Sequence, residues 1–149
     1  MQVETRAMGT VEVAEAQVVT FPAGLLGFEE YTDFAVVESE YEPLLWLQSL
    51  QEKSLAFLLI DPFLIADDYE AEIDDRELAK IGISDPSEVA VFAIVTVPSA
   101  GGAVTANLQG PLIFNKKNRQ CMQVVLDGSK YTTKHDILGA LKRKEASQC

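Results

Sequence analysis

The sequence predicts a mainly β protein: a sheet rolled into an incomplete barrel, accompanied by two short helices. Three observations predict it. Short runs rich in β-branched and aromatic residues recur along the chain. Turn residues break these runs at close intervals. Helical periodicity is confined to two brief stretches. The chain has 149 residues and is 48% hydrophobic, which fits one domain over residues 1–149. A chain of that length buries roughly two thirds of the surface exposed by its unfolded form, so a metal or disulfide is not needed to hold it.

The elements follow in order. Residues 11–13, 17–21 and 34–37 read as short strands. Residues 44–47 and 55–60 read as a buried hairpin turned through Lys53 and Ser54. The run Tyr69-Glu70-Ala71-Glu72-Ile73-Asp74 alternates strictly, so a strand there would turn its apolar side to the core and its carboxylates to water. Residues 89–97 are almost continuously apolar, as suits a central strand covered on both faces. Residues 103–107, 112–115 and 121–126 complete the set, with Pro111 opening a strand or sitting at an edge because it cannot donate to a ladder. Breaks fall at Pro22-Ala23-Gly24, Asp61-Pro62, Asp85-Pro86, Pro98 to Gly102 and Asp127-Gly128.

One helix is expected over residues 75–81. Asp74 is its N-cap, Glu77 completes a capping box, Ile73 and Leu78 form a hydrophobic staple, and Gly82 supplies a left-handed stop. A second is expected over residues 133–142, with Ile137, Leu138 and Leu141 on one face and Lys142, Arg143 and Lys144 at its C-terminal end. Residues 138–149 include a basic tail expected to fray.

The net charge is −11 and is unevenly placed. Residues 1–105 carry 4 Lys and Arg against 20 Asp and Glu, a net −16, while residues 106–149 carry 8 against 3, a net +5. The acidic majority repels phosphate and argues against direct nucleic-acid binding. It favours encounter with a basic protein, or simply confers solubility. Residues 1–20 carry Glu4, Glu12 and Glu15 and no apolar leader, and the longest apolar runs are too short to span a bilayer. Cys121 and Cys149 are unclustered. Together these features lead to the expectation of a cytoplasmic protein with no membrane partner.

Catalytic and cofactor motifs are scarce. His135 is the single histidine, so any His-dependent nucleophile must use it, yet it falls in the second expected helix beside Asp136, which points elsewhere. The acidic cluster Asp67, Asp68, Glu70, Glu72, Asp74 and Asp75 invites a calcium reading. Counted from Asp68, however, the places needing Gly and Glu hold Ile73 and Ala79. A solvated face is the plainer account. The glycines form neither a P-loop nor a dinucleotide fingerprint, and Lys116, Lys117 and Arg119 read as a hairpin loop with Asn118. No metal, no cofactor and no catalytic group is expected. A small hydrolase working through exposed carboxylates is the rival reading.

Phe21-Pro22-Ala23-Gly24-Leu25-Leu26-Gly27-Phe28-Glu29 is similar to the Phe-x-x-Gly-Leu-x-Gly-Phe-Glu signature of the FliW family of flagellar assembly factors. Phe34, Leu47-Gln48-Ser49, Phe57 and Asp61-Pro62 follow in the family's order. So do Val95-Thr96-Val97-Pro98, Thr105-Ala106-Asn107-Leu108, Pro111-Leu112, Asn115, Arg119, Gln123, Tyr131 and His135. Gly110 departs from the family's frequent Ala. The resemblance spans about residues 11–135.

It implies a mixed sheet rolled into a pseudo-barrel, and a non-enzymatic cytoplasmic factor that binds flagellin and the translational regulator CsrA. Flagellin would sequester the factor; once released by flagellin export, the factor would capture CsrA, and flagellin translation would resume. A general export chaperone is the nearest alternative. Candidate partner-binding residues are Phe21, Leu25 and Phe28, which either anchor a flagellin helix or belong to the core. Glu29 stands beside them in the signature. Gln48 and Asn107 either satisfy buried backbone or face a partner. Asp67, Asp68, Glu70, Glu72 and Asp74, with Glu38, Glu40 and Glu42, form the acidic surface expected to repel RNA phosphate.

Overall fold

The computed structural model describes residues 1–98, 101–126, 130–137 and 139. Strands β1 (Gln2–Thr5) and β2 (Gly9–Glu12) form a separate antiparallel hairpin. The large sheet contains β3 (Val18–Thr20), β4 (Asp33–Glu38), β5 (Leu45–Ser49), β6 (Ala56–Ile60), β7 (Val89–Thr96), β8 (Thr105–Ala106), β9 (Leu112–Asn115), β10 (Cys121–Gln123) and β11 (His135–Asp136). Its path runs β10-β9-β7-β6-β5-β4-β3, with β8 also on β7 and β11 on β8. One side of β7 is thus divided: Val89 to Phe92 pair with β9, while Val95 and Thr96 pair with β8.

Among the described residues every ladder is antiparallel, and the sheet curls until its two ends meet at one parallel bridge, Thr20 to Gln120. There the Thr20 amide donates to the Arg119 carbonyl at 3.0 Å. A barrel closed at a single rung is the expected incomplete barrel.

Strand alternation sorts the core into layers. Along β7, Ala93 and Val95 belong to one cluster with Ile60, Ile81, Ile113 and Ile137, and Val89 and Val91 pack against it. Ala90, Phe92 and Ile94 face the other cluster, built on Phe21, Leu25, Phe34, Leu47, Leu59 and Leu112. Both faces of β7 are covered, as its continuous apolar run predicts. The second cluster fills the roll. Phe21 makes edge-on ring contacts with Phe34 of β4 at 5.5 Å and with Phe114 of β9 at 5.8 Å, joining strands that are not neighbours in the sheet. On β4 the residues of opposite parity, Ala35 and Val37, hold the β1–β2 hairpin through Val3 and Val13.

The first helix, α1 (Asp75–Ala79), forms where expected. Asp74 caps it by accepting from the Arg76 amide. Glu77 does not complete a capping box; its carboxylate is paired with Lys80 instead. The stop is of the Schellman type: Gly82 N donates to Ala79 O, Ile83 N donates to Leu78 O, and Gly82 sits at φ +77°. The β9–β10 hairpin completes the cap, because Asn115 and Asn118 both donate side-chain N–H to the Ile81 carbonyl.

Two further expectations need correction. Tyr69 to Asp74 forms no ladder, although its burial alternates as predicted from buried Tyr69 to exposed Asp74. Extended backbone suffices to alternate side chains; pairing needs a free strand alongside, and this segment lies over the sheet. The second helix does not begin at Thr133. His135 and Asp136 pair with Ala106 and Thr105 as β11, and the Asp136 carboxylate accepts from the Gly139 amide as an N-cap residue does. Residues 138 and 140–142 of that expected helix, the rest of the basic tail, and the Asp127-Gly128 turn lie outside the described residues. Strand β1 was not anticipated.

Candidate protein-binding surfaces

The residues of the segment Phe21 to Glu29 divide between core and surface. Phe21 and Leu25 are fully buried, so they anchor the turn from beneath and present nothing to a partner. Gly24 makes the turn possible. It sits at φ +71°, and a Cβ there would stand 2.4 Å from Glu29 Cα. Leu25 and Phe28 form an isolated bridge, which pushes Leu26 outward to 59% exposure and leaves Phe28 at 37%. Phe28 rests edge-on against Phe57 at 5.3 Å. Exposed Glu29 accepts from the Gly27 amide. Leu26 was missed in the sequence because every apolar residue of a turn looks equally suited to the core; its place between two glycine-borne bends is the only signal.

Asn107 and Gln48 satisfy backbone. Asn107 Oδ1 accepts from the Gln109 and Gly110 amides, where the chain leaves β8 for β9. Gly110 O then accepts from Gln123 Nε2, and Gln123 Oε1 accepts from Leu26 N. A hydrogen-bonded relay thus runs from the break beside β7 to the exposed turn. Gln48 is 1% exposed. Its Oε1 accepts from Arg6 N, and its Nε2 donates to the carbonyls of Ser49, Lys53 and Leu55. It therefore staples the N-terminal hairpin to β5.

Asp67, Asp68, Glu70, Glu72 and Asp74 are all exposed. Asp68 pairs with Lys130 at 3.4 Å. Glu38, Glu40 and Glu42, at the end of β4 and beyond it, are exposed as well. Below the acidic stretch lies an open groove of about 1120 Å³ with Phe63, Ile73, Leu78, Ile83 and Val91 among its lining. Glu72, Asp74, Asp75 and Asp85 stand in it too. The hydrogen bond from the Ser87 amide holds the Asp85 carboxyl below its ordinary range, helped by the Ser87 side chain and by the charge of Lys117.

Among the described residues no group of three or more His, Cys, Asp or Glu is placed to hold a metal, and no helix is long and apolar enough to cross a membrane. Cys121 is buried, which pushes its thiol well above the ordinary range. His135 lies in β11 with a buried Nε2 that has no hydrogen-bond partner.

The sequence model of the FliW protein family matches residues 2–137. The chain belongs to the FliW family. The flagellar assembly factor FliW of Treponema denticola is 50% identical over 141 residues, covering 95% of this chain and 96% of that protein. Its counterpart in Treponema pallidum is 48% identical over 150 residues, covering both chains completely. A crystal structure of the flagellar assembly factor FliW superposes with a TM-score of 0.84 at 35% identity, covering 92% of this chain and 96% of that one. The FliW signature at residues 21–29 therefore combines two buried anchors and a steric glycine with a small exposed apolar turn.

Proposed function

We propose that this chain is a flagellar assembly factor acting through protein binding: it holds flagellin, and when free of flagellin it captures CsrA and so releases flagellin mRNA for translation. The observation that carries this reading is likeness to FliW proteins along the whole chain, at up to 50% identity. The charge distribution supports it. A net −16 over residues 1–105 steers the domain toward a basic, RNA-binding partner. Carboxylates at Glu38, Glu40, Glu42 and from Asp67 to Glu77 would repel phosphate near that partner's RNA site. Exposed Leu26 and Phe28 offer an apolar contact for a flagellin helix.

The test is a titration of this protein into CsrA bound to labelled flagellin leader RNA, with and without flagellin, at low and high salt. Release of RNA that flagellin reverses and salt weakens supports the reading. Flagellin binding without RNA release favours an export chaperone. Failure to bind either partner overturns the proposal. Charge reversal of the acidic residues that leaves release intact removes the electrostatic part alone, and Leu26→Asp that leaves flagellin binding intact removes the turn.

A further inference from the structure

The geometry points to the groove beside α1 as the seat of a basic amphipathic segment of a partner protein, its apolar side chains on the groove floor and its cations on the acidic rim. This rests on the protein-binding reading and adds a place and a ligand chemistry to it.

Three observations carry it. The first is shape: about 1120 Å³ lies at or above the upper end of small-molecule pockets, and the site is an open trough rather than a closed cavity. That suits a peptide. The second is the floor. Phe63 is 46% exposed although large and apolar, and Ile73, Leu78 and Val91 are only partly buried. Each would gain from further burial. The third is charge complementarity. Glu72, Asp74, Asp75 and Asp85 line the groove, and among the described residues no Lys or Arg does. Among the described residues none of the four forms an ion pair with a cation. Lys117 is the cation whose charge reaches Asp85, yet its own ion pair is with Glu88. An acidic or purely apolar segment would leave these carboxylates repelled or desolvated, whereas a basic one meets them. Amphipathic recognition in grooves combines these two kinds of contact.

The test is an NMR titration of the full chain, following backbone amides, with a short leucine–lysine amphipathic peptide and its leucine–glutamate counterpart as probes. The expected result is saturable shifts confined to residues 71–78 and 83–91 with the lysine peptide, weakened by salt, and none with the glutamate peptide. Glu72→Lys with Asp75→Lys should weaken binding about tenfold, and Phe63→Ala about fivefold, both in a folded chain. Glu4→Lys with Glu30→Lys changes net charge equally but away from the groove and should leave binding unchanged. Shifts elsewhere, equal binding of the glutamate peptide, or equal loss in the two charge reversals would overturn the proposal. So would movement of the groove signals without peptide when Lys142, Arg143 and Lys144 are replaced by Glu, which would make the chain's own basic stretch the occupant. Flagellin and CsrA binding are measured separately on the unmodified protein, so losing either named partner leaves the groove result standing.

Discussion

Gln123 accepts a hydrogen bond from the Leu26 amide at 3.0 Å across 97 residues of chain. The sheet's last strand in the path thereby fixes the position of the exposed turn. Gln123→Ala should cost about 1 kcal/mol of stability. It should also raise amide exchange at Leu26 well above that at buried Leu25. Urea unfolding with hydrogen exchange checks both, and unchanged exchange at Leu26 would show that the bond does not hold the turn.

Gln48 bonds four backbone groups from a fully buried position. Gln48→Ala removes all four bonds and empties a fully buried position, an expected loss of about 3 kcal/mol. The effect should appear first as detachment of the N-terminal hairpin, visible as protease cleavage near Arg6 before global unfolding.

Gly24 and Gly27 share left-handed backbone but differ in surroundings. A Cβ at Gly24 meets the Glu29 backbone, while one at Gly27 meets nothing within 4 Å. Gly24→Ala should therefore destabilise by about 3 kcal/mol or more, and Gly27→Ala by only about 1 kcal/mol. Paired denaturation curves decide it; equal losses would mean that conformation alone matters.

Burial raises the pKa of Tyr69, with Tyr131 adding to the effect, and burial raises that of Cys121. For both groups the neutral form is favoured in the fold. Their contribution to stability is fully present below the ordinary values, 10.0 for the phenol and 9.0 for the thiol, and is lost as the pH rises above them. Stability should decline on the alkaline side. Tyr69→Phe, which gives up the 2.7 Å bond to Leu108 O, should be less stable at neutral pH yet lose less between pH 9 and 11, an interval of about two units set by those ordinary values. Thermal unfolding across that range tests the slope.

Local chemistry was the most legible part of the sequence. Asp74 and Gly82 mark the two ends of α1 because capping depends on a few adjacent residues, and the structure places both where the residues predict. The apolar run of β7 declared its two covered faces for a similar reason. Tyr69 to Asp74 shows the limit: its period reports which side chains are buried, but a ladder depends on what lies alongside. The signature at residues 21–29 shows another. Phe21, Leu25 and Phe28 are indistinguishable by hydropathy, and only the closing of the roll over Phe34 and Phe114 decides that two are core and one is surface. The groove was invisible because Phe63, Leu78 and Val91 come together only after the sheet has formed.

The single rung between Thr20 and Gln120 bears on self-association. Unpaired strand margins are templates for another copy of the same chain. Rolling the large sheet turns β3 and β10 toward one another, and the Thr20 amide, with the Arg119 carbonyl, is satisfied within the molecule. At that rung the two margins meet each other instead of another copy of the chain, without the full ladder that a closed barrel would require.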